Sequence, residues 1–504
     1  MNQENSWINH PLSLSLLVTI FSIFFCFWLN GAWVPKKFKL PPSPQRFPLI
    51  GHLHCLGMLP HRSLQALSKK FGPLMLLQLG FNPTLVVSSA EMGREIMKTH
   101  DIIFSDRPII KAVNEFFYGG KDVSFAPYGE YWRQMRKICV TDLLSVKKVQ
   151  SFRPVRDEEI SDMVNSIKES CLLKKDVNIG HLIVGVTNNL ISRAALGNRV
   201  EGKEKIELIR ETVNLFGAFS FGDLFHPLGW IDMLTGLNKR MRNTAKALHS
   251  LLDEVIEAHL KCPKTDAQCD KKDMVDLLLD AEKDPTLGVE FTRDGHRSVI
   301  LDMFIAGTET TQTTLEWLMA ELVSHPHVLN KLQDEVRRVV GTKHKINEED
   351  IYQMEYLKCV IKEGLRLHPP IVLSMPRVTT ASVEIEGYHI PAKTRVLVNI
   401  WAICRDPKTW DKPDEFIPER FLNNSVDYKG AHFEFIPFGA GRRGCPAIAF
   451  SIASLESILA NLVYWFNWES IGGQDKMDID TSEAFGITVT LKHPLLLAPS
   501  FHFS

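Results

Sequence analysis

Surplus charge is the first thing missing from this chain. Its 504 residues carry 58 Lys and Arg against 59 Asp and Glu, a net charge of -1. No bulk basic charge is available to hold a nucleic-acid backbone, so a nucleic-acid partner is not expected. Cysteine is sparse as well: nine residues, at 26, 55, 139, 171, 262, 269, 359, 404 and 445, with no framework spacing. That excludes a disulfide-stapled secreted fold and favours a reducing compartment. Cys262 and Cys269 are too widely spaced, with no second pair nearby, for a zinc site. No G-x-x-x-x-G-K-[ST] occurs, so nothing supports a P-loop. A G-x-G-x-x-G does occur at Gly439, Gly441 and Gly444, but Pro437 stands where a dinucleotide-binding strand would be needed. What is left, 45% hydrophobic and 23% charged residues, is the balance of a globular protein rather than a disordered one.

From Asn5 to Pro35 there is no Asp, Glu, Lys or Arg, and Leu12 to Leu29 is mostly Leu, Ile, Phe, Val and Trp. About 20 such residues cross a bilayer. The leader has Glu4 and no basic start, and no small-x-small site closes the run, which argues against a cleaved signal peptide. Lys36, Lys37 and Lys39 follow, so the body is expected on the cytosolic side. Pro41, Pro42, Pro44 and Pro48 then fix φ and remove donors, predicting a stiff extended segment. The expected organisation is a membrane anchor over 1–35, a basic and Pro-rich linker over 36–48, and one body over 49–504.

In that body, Leu74–Leu79, Thr84–Ser88, Val383–Ile390 and Thr394–Ile400 read as short strands. Ala247–Leu260, Thr314–Val323 and Val328–Val340 have helical periodicity, the last two separated by His325-Pro326. The predicted fold class is mainly α with a small β region.

The most informative segment runs from Phe435 to Ala447, FIPFGAGRRGCPA. Its glycines imply a tight backbone with unusual φ or a close approach to something flat. Arg442 and Arg443 stand just before Cys445, and positive charge favours a thiolate, the form that ligates metal. Backbone N–H groups of such a turn can aim at the sulfur and tune a metal–thiolate bond. Pro446 allows a helix to start through Ile448 to Leu459.

The pattern F-x-x-G-x-R-x-C from Phe438 to Cys445 resembles the haem-binding loop of cytochrome P450 enzymes. The resemblance implies that Cys445 is the axial thiolate, that Arg443 meets a haem propionate, that Phe438 packs beside the sulfur and that Gly441 belongs to the cofactor loop. Ala447 departs from the family, which usually has glycine there. Further motifs of the family follow in order. Glu363-Gly364-Leu365-Arg366 and Pro418-Glu419-Arg420-Phe421 imply a buried structural network of Glu363, Arg366 and Arg420. Trp132 and Arg136, on one helical face, and Arg377 match positions that meet a propionate. In Ala306-Gly307-Thr308-Glu309-Thr310-Thr311, glycine and threonines weaken a helix, which predicts a kink or local opening. The matching acid is Glu309 and the matching hydroxyl Thr310, implied to relay protons during oxygen activation.

The resemblance spans most of the chain and looks most like plant microsomal members of specialised metabolism. It implies a cytochrome P450 fold preceded by one transmembrane helix, haem b as cofactor, and a single-pass location in the endoplasmic reticulum membrane. The implied activity is a monooxygenase that uses O2 on a hydrophobic plant metabolite such as a terpenoid, alkaloid or phenolic. Electrons would come from NADPH through a reductase docking on basic residues such as Arg133, Lys137, Lys147, Lys148 and Arg442. Positions matching substrate-contact regions are Phe116, Phe117, Phe221, Met303, Phe304, Ala306, Ile371, Val372, Leu373, Phe485 and Ile487. A reductase-independent isomerase or dehydratase on the same fold, and a non-enzymatic membrane scaffold, are the alternatives.

Overall fold

Leu74–Leu79 (β1) and Asn82–Val87 (β2) form an antiparallel pair whose register runs from Leu74 opposite Val87 to Leu79 opposite Asn82. The tight turn between them needs Gly80, which has φ +59 and whose added Cβ would meet the Leu224 carbonyl oxygen at 2.4 Å. β2 starts two residues before the predicted Thr84, across Pro83. Pro83 is tolerated because the parallel pairing of β2 begins only at Thr84, so its missing N–H breaks no ladder there. The computed structural model describes residues 38–502, apart from 265–271, 284–287, 289–290, 344 and 472–478, together with residues 15, 18, 19 and 22. The expected anchor over 1–35 lies outside the described residues save for those four.

The body is mainly helical. The helices that frame the site are α1 (Pro60–Phe71), α2 (Glu130–Ile138), α3 (Arg153–Leu172), α4 (Ile179–Leu196), α5 (Leu237–Lys261), α6 (Arg293–Ser324), α7 (Pro326–Val340) and α8 (Glu355–Leu367), followed after the later strands by α9 (Ile448–Trp465). Arg377–Val378 (β3) and Arg395–Val398 (β4) complete the first sheet in the order β1-β2-β4-β3. The predicted strand 383–390 is a hairpin turning at Glu386-Gly387, and the predicted strand 394–400 stops at Val398, where Asn399 caps a short helix. Glu483–Phe485 (β5) and Val489–Leu491 (β6) form a late hairpin.

The Pro-rich segment lies on the body, with Leu76 N–H donating to the Pro42 carbonyl at 3.1 Å and His52 bonding the Pro44 carbonyl at 2.9 Å. Among the described residues one helix, α9, is apolar and long enough to cross a membrane by composition, yet Leu455, Ile458, Leu459, Leu462 and Val463 on it are fully buried, so it is a core helix.

Two features set α6. Its N-terminus is capped by Thr292, and it ends at His325 because Pro326 cannot continue it and instead opens α7. Its middle is pressed onto α4: a Cβ on Gly307 would lie 2.8 Å from Ile191. The expected opening at 306–311 is not present. α6 is continuous there, with the Thr308 and Thr310 hydroxyls bonding back to the Phe304 and Ala306 carbonyls at 3.0 and 2.7 Å. One core cluster joins the C-terminal half of α6 to α7, α8 and α9; a second joins its N-terminal half to α4 and α5.

Candidate active site

The loop before α9 is built by its glycines. Gly439 and Gly441 have φ near +70, and a Cβ on Gly441 would lie 2.0 Å from the Met97 carbonyl oxygen. Gly441→Ala should therefore destabilise the protein by about 1–3 kcal/mol and weaken cofactor retention. Thermal unfolding and haem content of the purified variant check this, and a wild-type unfolding curve would refute the close approach. Cys445 N–H donates to the Phe438 carbonyl at 2.8 Å, and Ala447 N–H reaches the Cys445 sulfur at 3.4 Å. Ala447 has φ −97 and ψ 20, a conformation open to any residue, so the departure from glycine leaves the trace and its N–H donor intact.

The two arginines before Cys445 do not act on it as the sequence suggested. Arg443 bonds the carbonyls of Ser105, Val123 and Ala126, its guanidinium 4.3 Å over the Trp132 ring. Arg442 turns to Asp101. Burial pushes the Cys445 thiol up, opposed by the Ala447 N–H and by Arg136. A thiol in that state becomes a thiolate when a cation holds it.

Cys445 lies deep in the chain yet keeps part of its surface uncovered. Ala306 is exposed on a helix buried on both sides of it, over 299–304 and 313–320. Asp302, one turn before Ala306, is close enough for its charge to act on the thiol.

A set of arginines gathers nearby. Arg377 is buried and bonds Asp101, Phe104 and Ala440. Arg107 is buried and, among the described residues, donates to the carbonyls of Ser124, Met375 and Pro376; burial and the neighbouring Arg377 and Arg443 hold it well below its usual range. Burial, with Arg377 adding to it, pushes Arg443 down to about 10. Arg136 has no hydrogen bond or ion pair among the described residues, and burial lowers it. Clustered cations with an unpaired member favour an anionic occupant. A single uncovered thiol, a bare helical turn and these arginines fit an iron porphyrin with its carboxylates.

The other expected residues fall as follows. The Trp132 indole does not reach toward an anion, since its N–H is donated to the Val123 carbonyl at 2.9 Å. Phe438 packs edge-on to Tyr428. Glu363 and Arg366 are both fully buried and paired through two bonds of 2.8 Å, with Arg420 3.1 Å from the same carboxylate. Thr310 bonds Ala306, whereas Glu309 turns to the β5–β6 hairpin and accepts from Thr488 at 2.9 Å.

Phe116 stacks on Phe216 and Phe117 lies tilted against it, beside Gly217, which Ile487 approaches. Val372 and Leu373 pack with Trp401 and Val489 beneath the same hairpin; Ile371 precedes them, half-buried, and Phe485 at its tip is exposed. Phe221 lies apart, edge-on to the exposed Phe219. Met303 is buried in the second core cluster. Phe304 lines a cavity of about 260 Å³ with Leu248, Leu252, Val255, Ile300 and Leu301. Of the basic set, Arg133, Lys137, Lys147 and Arg442 are exposed, but Lys148 is buried and bonded to the Lys272 carbonyl. A cleft of about 470 Å³ is lined by Arg136, exposed Val146 and Tyr352, Lys429 and Cys445.

Sequence reasoning missed three residues of this site: Arg107, Asp302 and Thr488. Asp302 accepts from the Val123 and Ser124 N–H groups and the Ser124 hydroxyl, at 3.1, 3.0 and 2.6 Å, and so fastens the loop before α2 to α6. A charged residue inside apolar runs, as in IIFSDRPII and VILDMFI, is the signal that could have found the first two.

Helical architecture, cysteine loop and buried Glu–Arg network together define a haem-thiolate class of protein. The cytochrome P450 family profile matches residues 41–497, and the chain belongs to that family. It is similar to cytochrome P450 71A1 of Persea americana, 53% identical over 90% of this chain and 92% of that one. It is also similar to the phenylacetaldehyde oxime monooxygenase of Prunus mume, 47% identical over 95% and 93%. A zebra fish cytochrome P450 solved with progesterone shares the fold at a TM-score of 0.75 and 24% identity, over 88% of this chain and all of that one. The chain is thus a plant-type P450 enzyme, an oxidoreductase that incorporates oxygen from O2, whose family fold implies haem iron, a small-molecule substrate and a redox partner.

Proposed function

We propose that this enzyme oxygenates a hydrophobic small plant metabolite, of the terpenoid, alkaloid or phenolic kind, with haem b held by Cys445. NADPH supplies the electrons through a membrane-bound reductase. The observation that carries the reading is the sulfur of Cys445, aimed by its backbone bond to Phe438, touched by the Ala447 N–H and left partly uncovered next to the bare Ala306 turn. Bound there, the haem iron supplies the binding and reductive activation of O2. The chain does the rest. Arg136, Arg377 and Arg443 offset the carboxylates, the Ala447 N–H moderates charge on the sulfur, and the Thr310 hydroxyl offers a proton at the turn where Ala306 is uncovered. Apolar Phe116, Phe117, Val372 and Ile487 exclude water and select an apolar substrate.

Exposed Arg133, Lys137, Lys147 and Arg442 suit an acidic electron-donor face. Exposed Met58, Trp230, Met233 and Leu234 give the body apolar surface for a bilayer, in keeping with a 1–35 anchor, a 36–48 linker and a 49–504 catalytic domain on the cytosolic side of the endoplasmic reticulum. Microsomes with reductase should form product from candidate metabolites only with NADPH. Product formed without NADPH would instead favour a reductase-independent isomerase. Thr310→Ala keeps the helix, since alanine is the better helix former. It should leave NADPH consumption running while product falls and hydrogen peroxide appears. Fully coupled turnover in that variant would count against the hydroxyl's role.

A further inference from the structure

Glu309, Thr313 and Trp317 are four residues apart on α6 and share one face. That face meets the β5–β6 hairpin through a ladder of polar contacts. The Trp317 indole N–H donates to the Val489 carbonyl at 2.8 Å, the Thr313 hydroxyl to Thr488 Oγ1 at 3.4 Å, and the Thr488 hydroxyl to Glu309 Oε1 at 2.9 Å. Thr313 and Thr488 are 0% and 2% exposed, so neither hydroxyl has water to replace its partner. The Glu309 carboxyl is pushed up by burial and eased down by Thr488, the one side chain acting on it among the described residues. The hairpin that supplies Thr488 also carries Phe485 and Ile487.

We infer that Thr488 is the positioning residue for Glu309, its hydroxyl fixing the acid of α6 against the substrate-side hairpin so that acid and pocket wall move as one unit. The coupling to proton delivery rests on the proposed function; the bond between the two side chains does not.

The test is a cycle of Thr488→Val and Glu309→Gln in the purified full chain, read by thermal unfolding from acidic to mildly alkaline pH. A carboxyl raised by folding binds its proton more tightly when folded. Stability therefore falls as pH climbs from the unfolded titration range to the folded one. Loss of the Thr488 hydroxyl raises the folded value further, by about tenfold in proton affinity. The deficit of Thr488→Val relative to wild type should thus widen as pH rises, stay constant with pH in the Glu309→Gln background, and be absent in Thr488→Ser. A deficit that ignores pH, or widens equally in the Glu309→Gln background, overturns the inference. Thr488→Ala serves the same cycle if the valine variant does not accumulate. In reconstituted turnover, Thr488→Val should lower the product formed per NADPH, and the double variant should match Glu309→Gln alone; full additivity counts against it. Should the wild type lack a thiolate-type haem spectrum, the proposed function fails while the stability cycle still decides the bond.

Discussion

Cys445→Ala should give a folded protein with no thiolate-type absorption in its reduced, carbon monoxide-bound state and product formation at background. The fold should survive because the sulfur makes no bond that braces the core: its contact is the Ala447 N–H, and the loop is shaped by Gly439, Gly441 and the Cys445 N–H, all of which remain. Even outer partners of a metal ligand are worth about 10–100-fold, so loss of the ligand itself should exceed a hundredfold. Cys445→Ser is the sharper control, since it keeps size and offers oxygen in place of sulfur. An unchanged spectrum in either variant would remove Cys445 as the ligand, and with it the proposed chemistry.

Arg366→Ala should cost about 3 kcal/mol, the low end for removing one partner of a buried ion pair, because Arg420 still stands 3.1 Å from the Glu363 carboxylate. Against the 5–15 kcal/mol typical of whole domains, that is a large share. Arg366 and Glu363 are both 0% exposed, so water cannot take the place of the missing guanidinium. Arg366 also donates to the carbonyls of Cys404, Pro413 and Glu415, at 2.9, 2.7 and 3.1 Å, which knits the segment ahead of the cysteine loop to α8. Lysine should not rescue it, because a point charge cannot reach that spread of acceptors. Urea unfolding of the variants measures the loss. A cost below about 1 kcal/mol, the size of a surface pair, would show the network to be incidental.

What was legible in the sequence shares a property: the chemistry sits within a few residues along the chain. The cysteine loop, the Glu363–Arg366 pair and the break between α6 and α7 at Pro326 depend on local spacing, and each stands where it was expected. Contacts made across the chain were illegible. Thr488 and Glu309 are 179 residues apart, as are Val123 and Asp302, and no periodicity announces either meeting. The same limit explains Lys148, whose place in a basic stretch suggested surface while its ammonium is buried against Lys272. Phe304 lies two residues before Ala306, about 200° around α6, and lines a cavity against α5. α6 stays hydrogen-bonded through 306–311, its threonine hydroxyls adding bonds to carbonyls four residues back without opening the turn.

The donor that touches the Cys445 sulfur belongs to the main chain of Ala447, at φ −97. Apart from proline, every amino acid brings that same N–H to the position. The electron richness of the sulfur is therefore inherited from the path of the polypeptide, not from the identity of the residue. A change of side chain at 447, proline aside, leaves that donor on the sulfur.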